Sequence, residues 1–451
     1  MAHMQANSGQ QRHSDRLSLI AVAILAVASL TVLLSLGACG AQPPSGIGYV
    51  ALAVTPCSHE LTSQLHLTAA THLTTAASGS IYITTQGGDG AAPGVLYALA
   101  ASNGALRWCE SFYSGPVVTP GYAPAGHSYP PPPSVFPSAP TVANGVVYLT
   151  LEQGAALAFD AASGKLLWQR RFPVLALYAP TYANGALYVI GGPLSSVYAL
   201  DAATGAIRWQ WQATSQTHSG SPVTVADGIA YVNTVQIDPG GNDSDYALYA
   251  LDATTGAVRW RFATARSVDA PPVVAGGMVY IGAGEGDGHI YALDARSGRL
   301  RWKYATNGAF VNSDPTVGNG LVYADDVVNP LTLLTLDAAT GTILRQFTLN
   351  GITQQSTPLV GDGAIYLAGQ GVVVVNAATG RVFWSNPLDY THSDLSTPAI
   401  LSGAMLYVAC NDGTGGYGVG GHNQVVALEA HTGQIFWTFA MPGSPNTPAL
   451  G

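Results

Sequence analysis

Apolar and polar positions alternate in short bursts along most of the chain. Residues 269 to 304 show one unit. Asp269-Ala-Pro-Pro-Val-Val-Ala is an apolar run led in by proline, and Gly276-Gly277 closes it. Met278-Val-Tyr-Ile-Gly282 follows, then His289-Ile-Tyr-Ala-Leu-Asp294, then a turn through Gly298 into Arg299-Leu-Arg-Trp-Lys-Tyr304. Brief runs rich in Val, Ile, Tyr and Leu, bounded by Gly, Asn and Asp, predict strands. The unit reads as four strands, A to D, joined by hairpins.

The end of the unit is a phrase, Leu-Asp-Ala-x-Thr-Gly-x-x-x-Trp, cleanest at Leu251 to Trp260. It recurs around Gly104/Trp108, Gly164/Trp168, Gly205/Trp209, Gly256/Trp260, Gly298/Trp302, Gly341/Arg345, Gly380/Trp384 and Gly433/Trp437. A strand-type unit repeated every ~40 to 50 residues signals a propeller or solenoid, and four-stranded units of this size suit propeller blades. The pattern predicts an all-β, eight-bladed β-propeller of four-stranded antiparallel blades.

The punctuation explains the hairpins. The A–B joints read Ser78-Gly79, Asn144-Gly145, Asn184-Gly185, Asp227-Gly228, Gly276-Gly277, Asn319-Gly320, Asp362-Gly363 and Ser402-Gly403. Such pairs tolerate the positive φ of tight primed turns. At the C–D joints, Asp160, Asp201, Asp252, Asp294 and Asp337 are placed to bond backbone N–H groups of their own turn. Asn376 and Glu429 substitute in repeats seven and eight. The Trp residues (Trp108, Trp168, Trp209, Trp260, Trp302, Trp384, Trp437) open strand D and are expected to wedge against the neighbouring blade. Deleting such a ring costs about 3–5 kcal/mol. Arg345 replaces the sixth, so the sixth interface is expected to be the weakest or differently packed. Ring closure has two candidates for the inner strand of blade 1. Asn446-Thr-Pro-Ala-Leu450 resembles the A-strand run Ser396-Thr-Pro-Ala-Ile400, and is preferred over the local run His72 to Ala77.

Charge narrows the function classes. Only 9% of residues are charged, the formal net charge is −9, and Lys occurs only at Lys165 and Lys303. No basic run exists, so nucleic-acid binding through phosphate neutralisation is not expected. Near the N-terminus, Arg12 and Arg16 precede the apolar run Leu17 to Leu36, followed by Gly37-Ala38-Cys39. This order resembles a bacterial lipoprotein signal with Leu36-Gly-Ala-Cys39 as lipobox, which implies lipidation at Cys39. The alternative is an uncleaved membrane helix, since ~20 apolar residues span a bilayer. Either places the propeller outside the cytoplasm. The domain expectation is a signal peptide over 1–38, a tether over 39–71 and the propeller over 72–451. An extracytoplasmic site favours disulfides. Cys57–Cys109 is the first choice of pairing, and Cys410 is left as a buried thiol.

Alternating strand direction puts the A–B and C–D turns on one face and the B–C loops and D–A crossovers on the other. The long insertions all belong to the second face: Phe112 to Pro137 with Tyr129-Pro-Pro-Pro-Pro133, Asp238 to Asp245, and Asn411 to Asn423. Loops on a rigid scaffold are the usual carriers of binding. The same face opens the central channel, rimmed by His218, Asp269, Asn312, Asp314, Gln354, Gln355, His392 and Asp394. A polar rim there suits a small polar ligand or a cation, or water alone. Asp238, Asp243 and Asp245 form a weak calcium candidate without a full loop signature. Nucleophile triads, Cys-x-x-Cys metal pairs and phosphate loops are absent from the sequence. His289 reads as a strand residue.

The phrase Tyr-Ala-Leu-Asp-Ala-x-Thr-Gly-x-x-x-Trp, with Pro-Val-Val and Val-Tyr-Ile upstream, resembles the pyrroloquinoline-quinone-type propeller repeat over residues 72 to 450. One branch of that family holds quinone-dependent alcohol and sugar dehydrogenases, which set adjacent cysteines against the quinone and hold calcium. This chain has no Cys-Cys pair, and no catalytic residue carries over; Asp269 or Asp314 would be guesses. The other branch is non-catalytic and includes the eight-bladed lipoprotein of the outer-membrane β-barrel assembly machinery. The resemblance favours that branch. It implies a membrane-anchored, monomeric extracytoplasmic scaffold with no cofactor, binding a protein partner or extracellular polymer on the insertion face. A quinoprotein dehydrogenase using the quinone (PQQ) and calcium, and a sugar- or ion-binding sensor, stand as alternatives.

Overall fold

The computed structural model describes residues 51–57, 67–69, 79–85, 94–115, 135, 137–172, 178–191, 195–213, 217–218, 221–237, 243–266, 268, 270–283, 287–306, 315–326, 331–349, 357–369, 371–388, 399–410, 423–441 and 449–450, for some of them the backbone only. They fall in one compact unit, Ala51–Gly115 with Ala123–Gly451. Every regular element among them is a strand. The strands form eight antiparallel sheets, the blades of an eight-bladed β-propeller. Blade 2 is the type: strand A is Thr141–Ala143, B is Val146–Leu151, C is Ala155–Asp160 and D is Leu166–Arg171.

The turns take the conformations that their residues favour. Asn144 and Gly145 have φ of 51° and 73°, and Asp227 and Gly228 have 48° and 74°. Blade 8 departs from the expected joint. Ser402 pairs with Met405, so its turn is Gly403-Ala404 rather than Ser402-Gly403. At the C–D joints, Asp252 Oδ1 accepts the N–H of Thr255 at 2.9 Å and its hydroxyl at 3.1 Å. Asn376 does the same for Thr379 at 2.8 and 2.9 Å. Just before each Trp the C–D register shifts, as between Ala250 and Leu251, so strand D carries a bulge. Bulges raise the local twist, which helps the outer strands splay around a ring.

Each Trp locks one blade to the next. The indole N–H of Trp209 donates to the Ala253 carbonyl at 3.0 Å, and that of Trp437 to Ala101 at 3.1 Å across the ring's join. A strand-B tyrosine reaches the same carbonyl in several blades, as Tyr188 does at Ala253 (2.9 Å). The ring also lies flat against the next C–D turn. A Cβ on Gly256 would come within 2.7 Å of Trp209, so glycine answers both a positive φ and a close approach there. The sixth interface is indeed packed differently. Phe347, two residues beyond Arg345 on the same strand, lies over Gly380 where the other blades place Trp. A phenyl ring covers the glycine but has no N–H to donate.

Burial follows the stack. Strands B and C are covered on both faces, with Ile81, Leu149, Leu200, Tyr231 and Tyr407 fully enclosed. Eight apolar clusters result, one between each pair of neighbouring blades. Closing the ring buries the faces of blades 8 and 1 against each other and leaves only short strand edges.

The ring's join uses both ends of the described chain. Ala449–Leu450 pairs with Ile81 and Tyr82 and supplies the inner strand of blade 1. Two stretches of the expected tether are also strands. Ala51–Pro56 adds a fifth strand to the outer edge of blade 1, and Leu67–Ala69 does so on blade 8. Cys57 and Cys109 are disulfide-bonded beside the first of these, with Cα atoms 5.6 Å apart.

Candidate functional site

The two faces of the propeller differ in how much chain they carry. On the A–B/C–D face the described joints are tight, stereotyped turns. On the other face the connections range from one residue, between Gly369 and Gly371, through the stretch between Cys410 and Asn423, to the longer one between Gly115 and Thr141. Strand ends at this rim are fastened by polar side chains that the repeat phrase does not contain. Thr84 donates to the Ser138 carbonyl, Thr150 to Tyr178 and Asn233 to Ala270, each at 2.7 Å. Each stands two residues after a strand-B tyrosine (Tyr82, Tyr148 and Tyr231) and binds the lead-in to the next blade.

Blade 5 carries the densest polar cluster among the described residues. The Asp287 carboxylate, 3% exposed, accepts the Tyr291 hydroxyl at 2.8 Å. His289 Nδ1 lies 2.6 Å from Asp287 Oδ1 and 2.5 Å from the Asp287 carbonyl. The Asp287 carbonyl can only accept, so Nδ1 carries a proton. Burial, then the bond to Asp287, pushes the Tyr291 hydroxyl well above its ordinary pKa and keeps it a donor. Thr306 holds the Gly288 carbonyl through both N–H (2.7 Å) and hydroxyl (2.8 Å). The cluster pins the entry to strand C. His289 is thus more than a plain strand residue, though no described nucleophile accompanies it.

The expected site residues fare unevenly. Cys39, Asp238, Asp269, Asn312, Asp314, Gln355, His392 and Asp394 lie outside the described residues. His218 stands on a short extra strand, Thr217–His218, paired to Gln236 and Val235 at the far end of strand B. Asp243 and Asp245, expected in a loop, belong to strand C of blade 4, Asp243–Asp252, because the hairpin continues further than the turn signal Asp238-Pro-Gly-Gly suggests. Among the described residues no group of three His, Cys, Asp or Glu is placed to hold a metal ion. The cysteines do not fit a quinone cradle either. Cys109 is bonded to Cys57 on the outermost strands of blade 1. Cys410 is buried among the apolar side chains between blades 7 and 8, where burial pushes its thiol up to about 12.

The fold and its locks define a class, the propellers built of quinone-type repeats. Comparison with known families narrows it. The family model described as outer membrane protein assembly factor BamB matches residues 52–173, 92–240 and 244–450, and the chain belongs to that family. A serine/threonine-protein kinase AfsK of Streptomyces griseus is 34% identical over 158 residues, 32% of this chain and 18% of the kinase. Outer membrane protein assembly factor BamB of Moranella endobia is 29% identical over 131 residues, 27% of this chain and 31% of the relative. The chain thus spans a minor part of the curated relatives it matches. A quinohemoprotein alcohol dehydrogenase of Pseudomonas putida HK5 shares the fold, with a TM-score of 0.53 at 15% identity over 68% of this chain and 66% of the other.

Proposed function

We propose that the chain is an exported propeller, anchored through a lipidated Cys39, that works as a protein-interaction scaffold through its insertion-bearing face. The observation that carries this reading is the asymmetry of the two faces. Within the repeat units one is built of stereotyped turns and the other receives the long connections, on a ring rigidified by eight interlocked blades; the segment between Ala69 and Ser80 joins strand ends on the turn face. Family membership and the BamB relative, named for outer membrane protein assembly, support a protein partner. The Cys57–Cys109 bond suits an oxidising compartment. A polymer partner remains within the same reading.

The test uses full-length chain immobilised against an envelope extract of its source cell. Replacing residues 411–422 by Asn-Gly, which keeps a two-residue hairpin between the strands ending at Cys410 and starting at Asn423, is expected to abolish partner capture and leave thermal unfolding nearly unchanged, and equal capture by that variant overturns the docking face. Radiolabelled palmitate should enter the wild-type chain and not Cys39→Ala.

A quinoprotein dehydrogenase is the second reading, motivated by the fold shared with the Pseudomonas enzyme alone. The cysteine positions weigh against it. Adding the quinone and calcium to purified chain, then measuring alcohol- or sugar-dependent dye reduction, decides between the two.

A further inference from the structure

Cations are unevenly spread around the ring. Seven of the chain's 16 Lys and Arg residues fall between positions 257 and 303, in blades 4 and 5. Strand D of blade 4, Val258–Thr264, carries Arg259 and Arg261, and Arg266 follows it. Strand D of blade 5, Leu300–Ala305, carries Arg301 and Lys303, and the turn before it holds Arg296 and Arg299. Both strands are outermost in their sheets, and every one of these cations is exposed. The D strands of blades 7 and 8, Val382–Asn386 and Ile435–Met441, carry no charge. The sequence has no basic run; the fold brings these residues together. Trp260 joins the two groups. It stands between Arg259 and Arg261, its indole N–H donates to the Ala295 carbonyl at 3.1 Å, and its ring lies against Gly298. The turn bearing Arg296 and Arg299 is therefore packed on the strand bearing Arg259 and Arg261. Phe262 against Tyr291, 5.7 Å between ring centres, adds a second contact between the same blades.

The nearby acids leave most of this charge unmatched. Arg259 pairs with Asp252 at 2.7 Å and Arg301 with Asp294 at 2.6 Å. Asp287 is already bound to His289 and Tyr291, and Asp269 and Glu285 lie outside the described residues. Arg261 sits over the Tyr249 ring. Arg266, Arg296, Arg299 and Lys303 make no ion pair with a described residue. Like charges crowded together repel, and an anionic partner relieves that repulsion. Apolar side chains are set among the cations: Val258 is 49% exposed and Leu300 39%. Ile207, Ile343 and Val382 hold the same position in other blades without such a cluster. A partner that matches both features carries carboxylates and apolar side chains together, which a wholly hydrophilic polyanion does not. The N-terminal strands Ala51–Pro56 and Leu67–Ala69 attach to blades 1 and 8, opposite blades 5 and 4 in a ring of eight. With the anchor proposed above, the patch stands on the side of the ring away from the membrane.

We propose that the outer rim of blades 4 and 5 docks an acidic segment of a partner protein. Its carboxylates pair with the cations left without counter-ions, and its apolar side chains cover Val258 and Leu300. This surface is separate from the insertion face and goes beyond the scaffold reading; the anchor bears only on the choice of a protein over a membrane.

The probe is a fluorescein-labelled peptide of glutamates interspersed with leucines, titrated into purified full-length chain by anisotropy. Saturable binding is expected, weakening as salt rises. A peptide with serine for leucine should bind several-fold more weakly, and one with glutamine for glutamate should not bind. Arg299→Glu with Lys303→Glu should weaken binding roughly tenfold or more. Leu300→Ser should shrink the advantage of leucine over serine. Arg345→Glu with Arg381→Glu, an equal change of charge on blades 6 and 7, should leave binding unchanged. So should the Asn-Gly replacement of residues 411–422, so that failure of the insertion face and failure of this rim read out separately. Unfolding midpoints at or above wild type show that the charge-reversed chain is folded. Unchanged binding by folded Arg299→Glu with Lys303→Glu overturns the proposal, as does equal binding of the serine peptide, or no binding up to roughly millimolar peptide. Tighter capture of inorganic polyphosphate, or of phosphatidylglycerol vesicles, lost in the same variant, gives the rim to a phosphate polymer or a membrane and overturns it. Self-association that this variant abolishes, without peptide binding, gives it to a second copy and overturns it too.

Discussion

Glycine and tryptophan act as a pair at the residue scale. At Gly256 two costs are superimposed: a φ of 75° and a Trp209 ring 2.7 Å from where a Cβ would sit. Gly228 has nearly the same φ, 74°, with nothing within 4 Å. Gly228→Ala should cost only the left-handed backbone penalty, about 1–2 kcal/mol. Gly256→Ala should cost clearly more, because the ring must move and its bond to Ala253 with it. Urea midpoints of the two variants check this. Titration gives a second test. The bond from Arg259 holds the Asp252 carboxyl down at about 2, and bonds from Arg208 and Arg301 lower Asp201 and Asp294. These pKa values are depressed on folding. Their stabilisation is present above the unfolded value of ~4 and fades as pH falls towards ~2. Burial pushes the Tyr231 and Tyr407 hydroxyls up to about 12. Their contribution is whole below ~10 and is lost as pH rises through about 12. These groups should therefore leave stability highest between about pH 5 and 8; it falls below that as the Asp residues are protonated and above it first through the Cys410 thiol, whose unfolded value is ~8.5, and then through the tyrosines. Since the Asp side chains are exposed, the acid limb should be shallow and salt-sensitive. The lock was legible in the phrase itself. Its substitute was only half so: Arg345 announced an exception, and the aromatic two residues on, in strand period, was the available sign that Phe347 fills the gap.

At the scale of elements, the blade strands follow from short apolar runs and Asn-Gly or Asp-Gly joints. Those signals are local, and the structure agrees with them except in blade 8, where the turn is Gly403-Ala404, and in blade 1, whose strand A is Ala449–Leu450 and not a run leading into Ser78-Gly79. The strands at 51–56 and 67–69 lie in the expected tether. Short isolated segments form strands when an open edge is available, and that edge belongs to residues far along the chain, Phe439 in the case of Leu67. The disulfide fastens the first of them across a separation of 52 residues. On the chain-entropy model such a link contributes about 4 kcal/mol. Cys57→Ser with Cys109→Ser should lower the denaturation midpoint by an amount of that order. Hydrogen exchange along 51–56 should rise before the blades open. Reduction with dithiothreitol gives the same result if the loss comes from the link and not the substitutions.

The whole molecule is a ring whose join lies in blade 1. Its inner strand comes from Ala449–Leu450, its outer strand from Ala51–Pro56, and Trp437 bonds Ala101 across the join. Removing residues 446–451 should leave Ile81 and Tyr82 with an open edge. The expected outcome is a lower, broader unfolding transition and concentration-dependent association, checked by calorimetry and sedimentation. Reading the chain alone settled the number of blades, their strand content and the tight turns, because these depend on repeats of local pattern: period-two burial, positive-φ turn residues and a large ring at a constant offset from glycine. It also narrowed ring closure to two segments. Tertiary structure decided which segment closes the ring, which aromatic stands in at the sixth interface, and that Asp287 holds His289 and Tyr291. It also decided which outer edges stay bare. These outcomes turn on contacts between residues distant in sequence, whose partners carry no mark in the repeat.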